Sequence, residues 1–200
     1  MYRRTVMVAT LCTALAVAAC SQMGARKPVA LGPAEQARAQ QLFESLSTAQ
    51  KAARWDAAAT TASEIINQYP TFGRMDEVLF IAGQVADARG RSAEAATYYD
   101  KLASDYSLSS FRPRALRASA ADYAKLGDPA REAGSWLELM QAPLDAAGRD
   151  EATRRLRILV DEQLSDADLD ALYKAYPDSP LARGALYKQA RAAYAAGDYD

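Results

Sequence analysis

Apolar residues along most of this chain recur at intervals of three and four. Val78, Leu79, Ala82, Val85 and Ala86 follow that spacing, and so do Ala95, Tyr98, Tyr99 and Leu102. Side chains so spaced return to one face of a helix, which gives each run a stripe to bury. No stretch alternates apolar and polar residues for long enough to predict a strand. Turn-like stretches beginning at Ala53, Gly90 and Gly127 stand 37 residues apart. One further step reaches Leu164, followed by the helix-start residues Ser165 and Asp166. Gly197-Asp198-Tyr199 makes a fifth turn, 33 residues on. A second series marks where each second helix stops: Tyr69-Pro70, Tyr106-Ser107, Ala142-Pro143 and Tyr176-Pro177. Proline cannot continue a helix and restricts the residue before it. The pattern predicts five helix pairs, the last one cut. First helices are expected at 35–53, 75–89, 112–126, 149–163 and 180–196, and second helices at 56–69, 92–105, 129–141 and 166–176.

The first residues follow a different pattern. Arg3 and Arg4 precede an uncharged run, Val6 to Ala19, that ends at Cys20. A positive end with a short apolar stretch reads as a secretory signal, and a bilayer span needs about 20 apolar residues. Val17-Ala18-Ala19-Cys20 resembles the bacterial lipoprotein cleavage motif. That resemblance implies removal of residues 1–19 and acylation of Cys20 on its sulfur and its freed amine. Ser21, where an Asp would imply retention at the inner membrane, implies the inner leaflet of the outer membrane, facing the periplasm. Residues 20–33 carry Gly24, Pro28, Gly32 and Pro33 without apolar periodicity, which predicts a flexible lipidated tether.

Composition narrows the chemistry. The chain has 200 residues, half of them hydrophobic, enough for one packed domain. Lys plus Arg numbers 24 and Asp plus Glu 25, so no global field draws in nucleic acid. There is no histidine, which excludes imidazole-based catalysis and His-ligated metal. Cys12 and Cys20 both fall in the first twenty residues, so neither a disulfide scaffold nor a Cys metal site is expected. Neither a Gly-rich phosphate loop nor a nucleophile elbow is present. Acidic side chains cluster at Asp145, Asp150 and Glu151, and at Asp161, Glu162, Asp166, Asp168 and Asp170. Paired carboxylates can hydrolyse glycosides, but Asp150 with Glu151 and Asp166 with Asp168 are better placed as helix openers, where negative charge meets the N-terminal dipole. Neither an enzyme nor a cofactor is predicted. Trp55 and Trp136 sit at spacings that match the packed face, so both are expected in the core.

A helix pair of this length with a Gly-Asp-Tyr turn and a closing proline resembles the tetratricopeptide repeat. Gly83 and Ala120 stand where that family has a small residue in the first helix, and Ala95 where the second helix has one. Tyr123 matches its aromatic position, and Leu42, Leu79, Leu116 and Leu186 its bulky one; the fourth repeat departs with Thr153. The resemblance covers 34–200 and implies an all-α, right-handed solenoid of helical hairpins.

Exported, lipid-anchored arrays of this kind resemble the N-terminal region of penicillin-binding-protein activator lipoproteins. The segment from Asp168 to Pro177, followed by Ala185-Leu186, carries that resemblance. The lipoprotein of the outer-membrane β-barrel assembly machine is the second resemblance. The first implies a non-enzymatic scaffold regulating peptidoglycan synthesis. A solute receptor whose ligand domain lies beyond residue 200 is a third possibility.

Repeat arrays bind extended partners on their inner face. In the 37-residue register one first-helix position reads Phe43, Phe80, Arg117, Arg154 and Tyr187, with a last step of 33. Apolar anchors followed by guanidinium forks suit a peptide with a carboxylate. The partner expected is an envelope protein or peptide. The helix expected at 180–196 carries an apolar stripe (Leu181, Ala185, Leu186, Tyr187, Ala190, Ala193, Tyr194) where a terminal repeat should be polar. The array is therefore expected to continue past Asp200.

Overall fold

The structure is a computed structural model that describes residues 30–179 together with Gly184, Lys188, Ala190, Ala193, Tyr194, Ala195 and Gly197. The expected signal, Cys20, residues 20–29 of the tether, Tyr187 and most of the helix expected at 180–196 lie outside the described residues. The repeat unit begins at Leu31.

Among the described residues eight α-helices follow one another: α1 (Pro33–Lys51), α2 (Trp55–Gln68), α3 (Met75–Ala88), α4 (Ser92–Asp105), α5 (Arg112–Leu126), α6 (Pro129–Met140), α7 (Ala146–Ile158) and α8 (Asp166–Ala175). No strand occurs among the described residues. From α1 to α7 each helix packs on its neighbours in sequence, and α1 also touches α3. These are consecutive helical hairpins, a tetratricopeptide-like repeat solenoid.

The 37-residue period has a backbone cause. Gly90 and Gly127 adopt left-handed conformations, with φ of 71° and 68°, and turn the first helix of a pair into the second. Ala53 occupies the same place with φ of 53°, the one non-glycine residue with positive φ among those described. The second series is as regular at its three tyrosines, while α6, before Ala142-Pro143, ends differently, with Gln141 at φ of −78° and ψ of −15°. Tyr69, Tyr106 and Tyr176 end α2, α4 and α8 with φ of −128°, −126° and −132° and ψ of 53°, 58° and 59°. Each donates its N–H to the carbonyl four residues back, and each carbonyl accepts from the N–H three residues on: Phe72, Ser109 and Ser179. The chain thereby leaves every one of these helices at the same angle, satisfying end groups that would otherwise lack partners.

The fourth hairpin departs from this plan. α7 starts at Ala146, capped by Asp145, whose carboxylate accepts from Gly148 N–H at 2.8 Å. It starts three residues before the expected 149, so Asp150 and Glu151 lie inside the helix rather than at its cap. The turn expected at Leu164 is not left-handed, because no glycine is there to adopt that conformation. α7 instead runs into a π-helical segment, Leu159–Gln163, closed by Leu164 N–H to the Leu159 carbonyl at 2.9 Å. Leu164 is extended, with φ of −83° and ψ of 135°. Lys188 Nζ donates to the Val160 and Asp161 carbonyls at 2.6 and 2.8 Å, filling acceptors at that helix end. Ser165 then caps α8 through a reciprocal pair with Asp168.

The core forms two consecutive clusters. One joins Leu46, Ile65, Leu79, Tyr99 and Leu102 across the first hairpins; the other joins Leu116, Trp136, Leu139, Leu156 and Leu169. Trp136 is buried and Trp55 packs half-buried against the first cluster, as expected of core residues.

Candidate protein-interaction face

First helices meet one another through polar pairs spaced near the period. Gln50 Nε2 of α1 donates to Gln84 Oε1 of α3 at 2.8 Å. Lys125 Nζ of α5 reaches Asp87 Oδ1 of α3 at 3.2 Å, and Arg117 Nε of α5 reaches Glu151 Oε2 of α7 at 3.0 Å. These contacts join successive first helices along one face.

The row expected on that face splits in two. Phe43 and Phe80 are only 4% and 6% exposed and belong to the core. Phe43 packs on Phe72 at 6.1 Å between ring centroids, and Phe80 packs on Phe111 and Tyr99 at 5.2 and 5.9 Å. A guanidinium covers each ring: Arg74 lies 3.9 Å from the Phe43 centroid and Arg114 lies 4.6 Å from that of Phe80. The rings therefore offer no free apolar anchor, because burial in the core removes more apolar area from water than an exposed groove position would. The cations on top of them are what the face presents. Arg74 and Arg114 were not legible as members of this row, since neither falls in its register.

The arginine half of the row is at the surface. The Arg117 side chain is 41% exposed even while paired to Glu151. Arg154, one period on in α7, is exposed. Arg114 and Arg117 stand one turn apart on α5, so with Arg154 they make a cationic stretch over two successive first helices.

The second helices carry other polar structure. Glu132 of α6 is almost wholly buried and is held by Arg155 of α7 through both carboxylate oxygens, with Nη2 to Oε2 at 2.7 Å. Trp136 Nε1 donates to the same carboxylate at 3.2 Å. The pairing holds the Arg155 guanidinium above its ordinary pKa. Asp100 accepts from the hydroxyls of Ser119 and Tyr123. Burial, and next the hydrogen bond to Asp100, raise the Tyr123 phenol. A groove of about 380 Å³ runs between α4 and α6, lined by Asp100, Lys101, Ser104, Arg131, Glu138 and Tyr176. No group of three or more metal-ligating side chains occurs among the described residues.

Successive hairpins, glycine and tyrosine turns at a fixed period, and a polar first-helix face define a helical-repeat interaction scaffold. The tetratricopeptide repeat family profile matches residues 77–109, the hairpin of α3 and α4. Among solved structures, the crystal structure of BtubC (BKLC) from P. vanneervenii is similar at 16% identity. That likeness covers 82% of this chain and 83% of that one, with a TM-score of 0.44. No curated protein matches.

Proposed function

We propose that this chain is a lipid-anchored envelope scaffold that grips an acidic, extended segment of a partner protein on its first-helix face and thereby regulates peptidoglycan synthesis. The observation that carries the binding part is the exposed cationic stretch of Arg114, Arg117 and Arg154 on consecutive first helices. Guanidinium groups match carboxylates in a planar two-point geometry, and a repeat array holds such groups at regular spacing along an extended ligand. The membrane part rests on Val17-Ala18-Ala19-Cys20 and on Ser21, which favour an acyl anchor in the outer membrane facing the periplasm. The envelope role rests on the resemblance to penicillin-binding-protein activator lipoproteins.

A photo-crosslinker placed at Arg154 in cells tests the reading. An adduct with a peptidoglycan-synthesising enzyme, lost in an Arg114→Ala/Arg117→Ala background, is the expected result. An adduct with barrel-assembly components would replace the envelope role. Crosslinking only from Lys101, in the groove between α4 and α6, would overturn the choice of face. The double variant should keep its stability within about 1 kcal/mol, as exposed side chains do, whereas Phe80→Ala should cost about 3–5 kcal/mol. Fatty-acid labelling that marks wild type and Cys20→Ser equally would refute the anchor.

A further inference from the structure

The joint between α3, α4 and α5 holds a buried carboxylate with one unfilled oxygen. Asp122 of α5 has no solvent exposure. Its Oδ1 accepts from Lys125 Nζ at 2.8 Å, while its Oδ2 has no hydrogen-bond partner among the described residues. Asp87 of α3 shares the same ammonium, with Oδ1 at 3.2 Å, and its Oδ2 accepts from the Tyr99 hydroxyl of α4 at 3.0 Å. Ser92, at the start of α4, favours the charged form of Asp122, and Arg114 of α5 that of Tyr99. Two carboxylates thus face one lysine at a contact of three helices, with Asp122 buried while the Lys125 side chain is 58% exposed. The surplus negative charge is what burial penalises. A proton on Asp122 removes that surplus and turns its open oxygen from an unfilled acceptor into a donor that can face the Asp87 carboxylate.

We propose that Asp122 is the group that takes up a proton when the folded chain meets mild acid, and that this uptake tightens the joint between these two successive first helices. Burial is the largest cause raising the Asp122 carboxyl above its ordinary range; the Lys125 hydrogen bond lowers it, and Asp87 raises it again. A carboxyl raised by folding stays protonated where the unfolded chain has already lost its proton. Its stabilisation is complete below the unfolded value and disappears as pH rises through the folded one. The chain contains no histidine, so no ordinary side chain titrates between about pH 5 and 8. A pH effect in that interval therefore reports on a displaced group.

Thermal melting of the full chain by circular dichroism from pH 8 to pH 5 tests this, alongside Asp122→Asn. The wild-type Tm should rise by about 2–4 °C on acidification, and the variant should stay flat. A flat or falling wild-type Tm, or an equal rise in the variant, would overturn the proposal. Should the variant fail to fold, carboxyl carbon-13 titration of the wild type decides: one aspartate titrating above pH 5 supports it, and all of them titrating below pH 5 sinks it.

Discussion

A methyl group added at Gly83 would lie 2.4 Å from Cε1 of Tyr99, well inside contact distance. Gly83 is buried in α3, and the Tyr99 ring of α4 lies directly against its backbone. The absent side chain is what lets this hairpin close, and closure places the Tyr99 hydroxyl on Asp87. Burial, then Asp87, push the Tyr99 phenol far above its ordinary value, consistent with a proton held firmly there.

Gly83→Ala should therefore destabilise the chain by about 1–3 kcal/mol in urea unfolding, although alanine is the better helix former by about 1 kcal/mol. A neutral or stabilising result would mean that the ring moves aside freely.

Ala53 should respond in the opposite sense. It holds a left-handed conformation that costs an L-residue about 1–2 kcal/mol, while the next two positions of the period are glycines. Ala53→Gly is expected to stabilise by about 0.5–1 kcal/mol, the relief being partly offset by the freer unfolded chain. Gly127→Ala, with open space around the new methyl, should lose about 1 kcal/mol through backbone strain alone. Melting curves of both variants check the pair of signs.

Arg155→Ala leaves Glu132 buried without its cation. A loss of about 3 kcal/mol is expected from the uncompensated charge. In a Glu132→Gln background the same truncation should cost about 1 kcal/mol or less, because no buried charge remains to be stranded. Equal losses in both backgrounds would show that Arg155 acts through packing rather than charge.

Helix positions were legible because their causes are local. Glycine in a left-handed turn and tyrosine at a helix exit act within a few residues, so the 37-residue spacing located α2 through α6 closely. Extending that spacing to Leu164 also located the Ser165 cap and α8, but not the π-helical segment that closes α7 where no glycine is present. The site was less legible. Register places Phe43, Phe80, Arg117 and Arg154 on equivalent positions, but exposure depends on what lies above each one. Arg74 and Arg114 cover the two rings from outside the register. Glu132 with Arg155, and Asp87 with Asp122, come from different helices, and their pairing depends on how the helices pack rather than on any motif.

The three tyrosine exits bear on how such a chain changes length. Tyr69 and Tyr106 end their helices with backbone angles that agree within about 5° and with the same two hydrogen bonds, each confined to the tyrosine's own neighbourhood. They are interchangeable splice points. Recombination between them removes or duplicates 37 residues, one whole period, and rejoins the chain at matching geometry. Matching exits thus let the array gain or lose reach in whole steps of one hairpin without altering the backbone path at the junction.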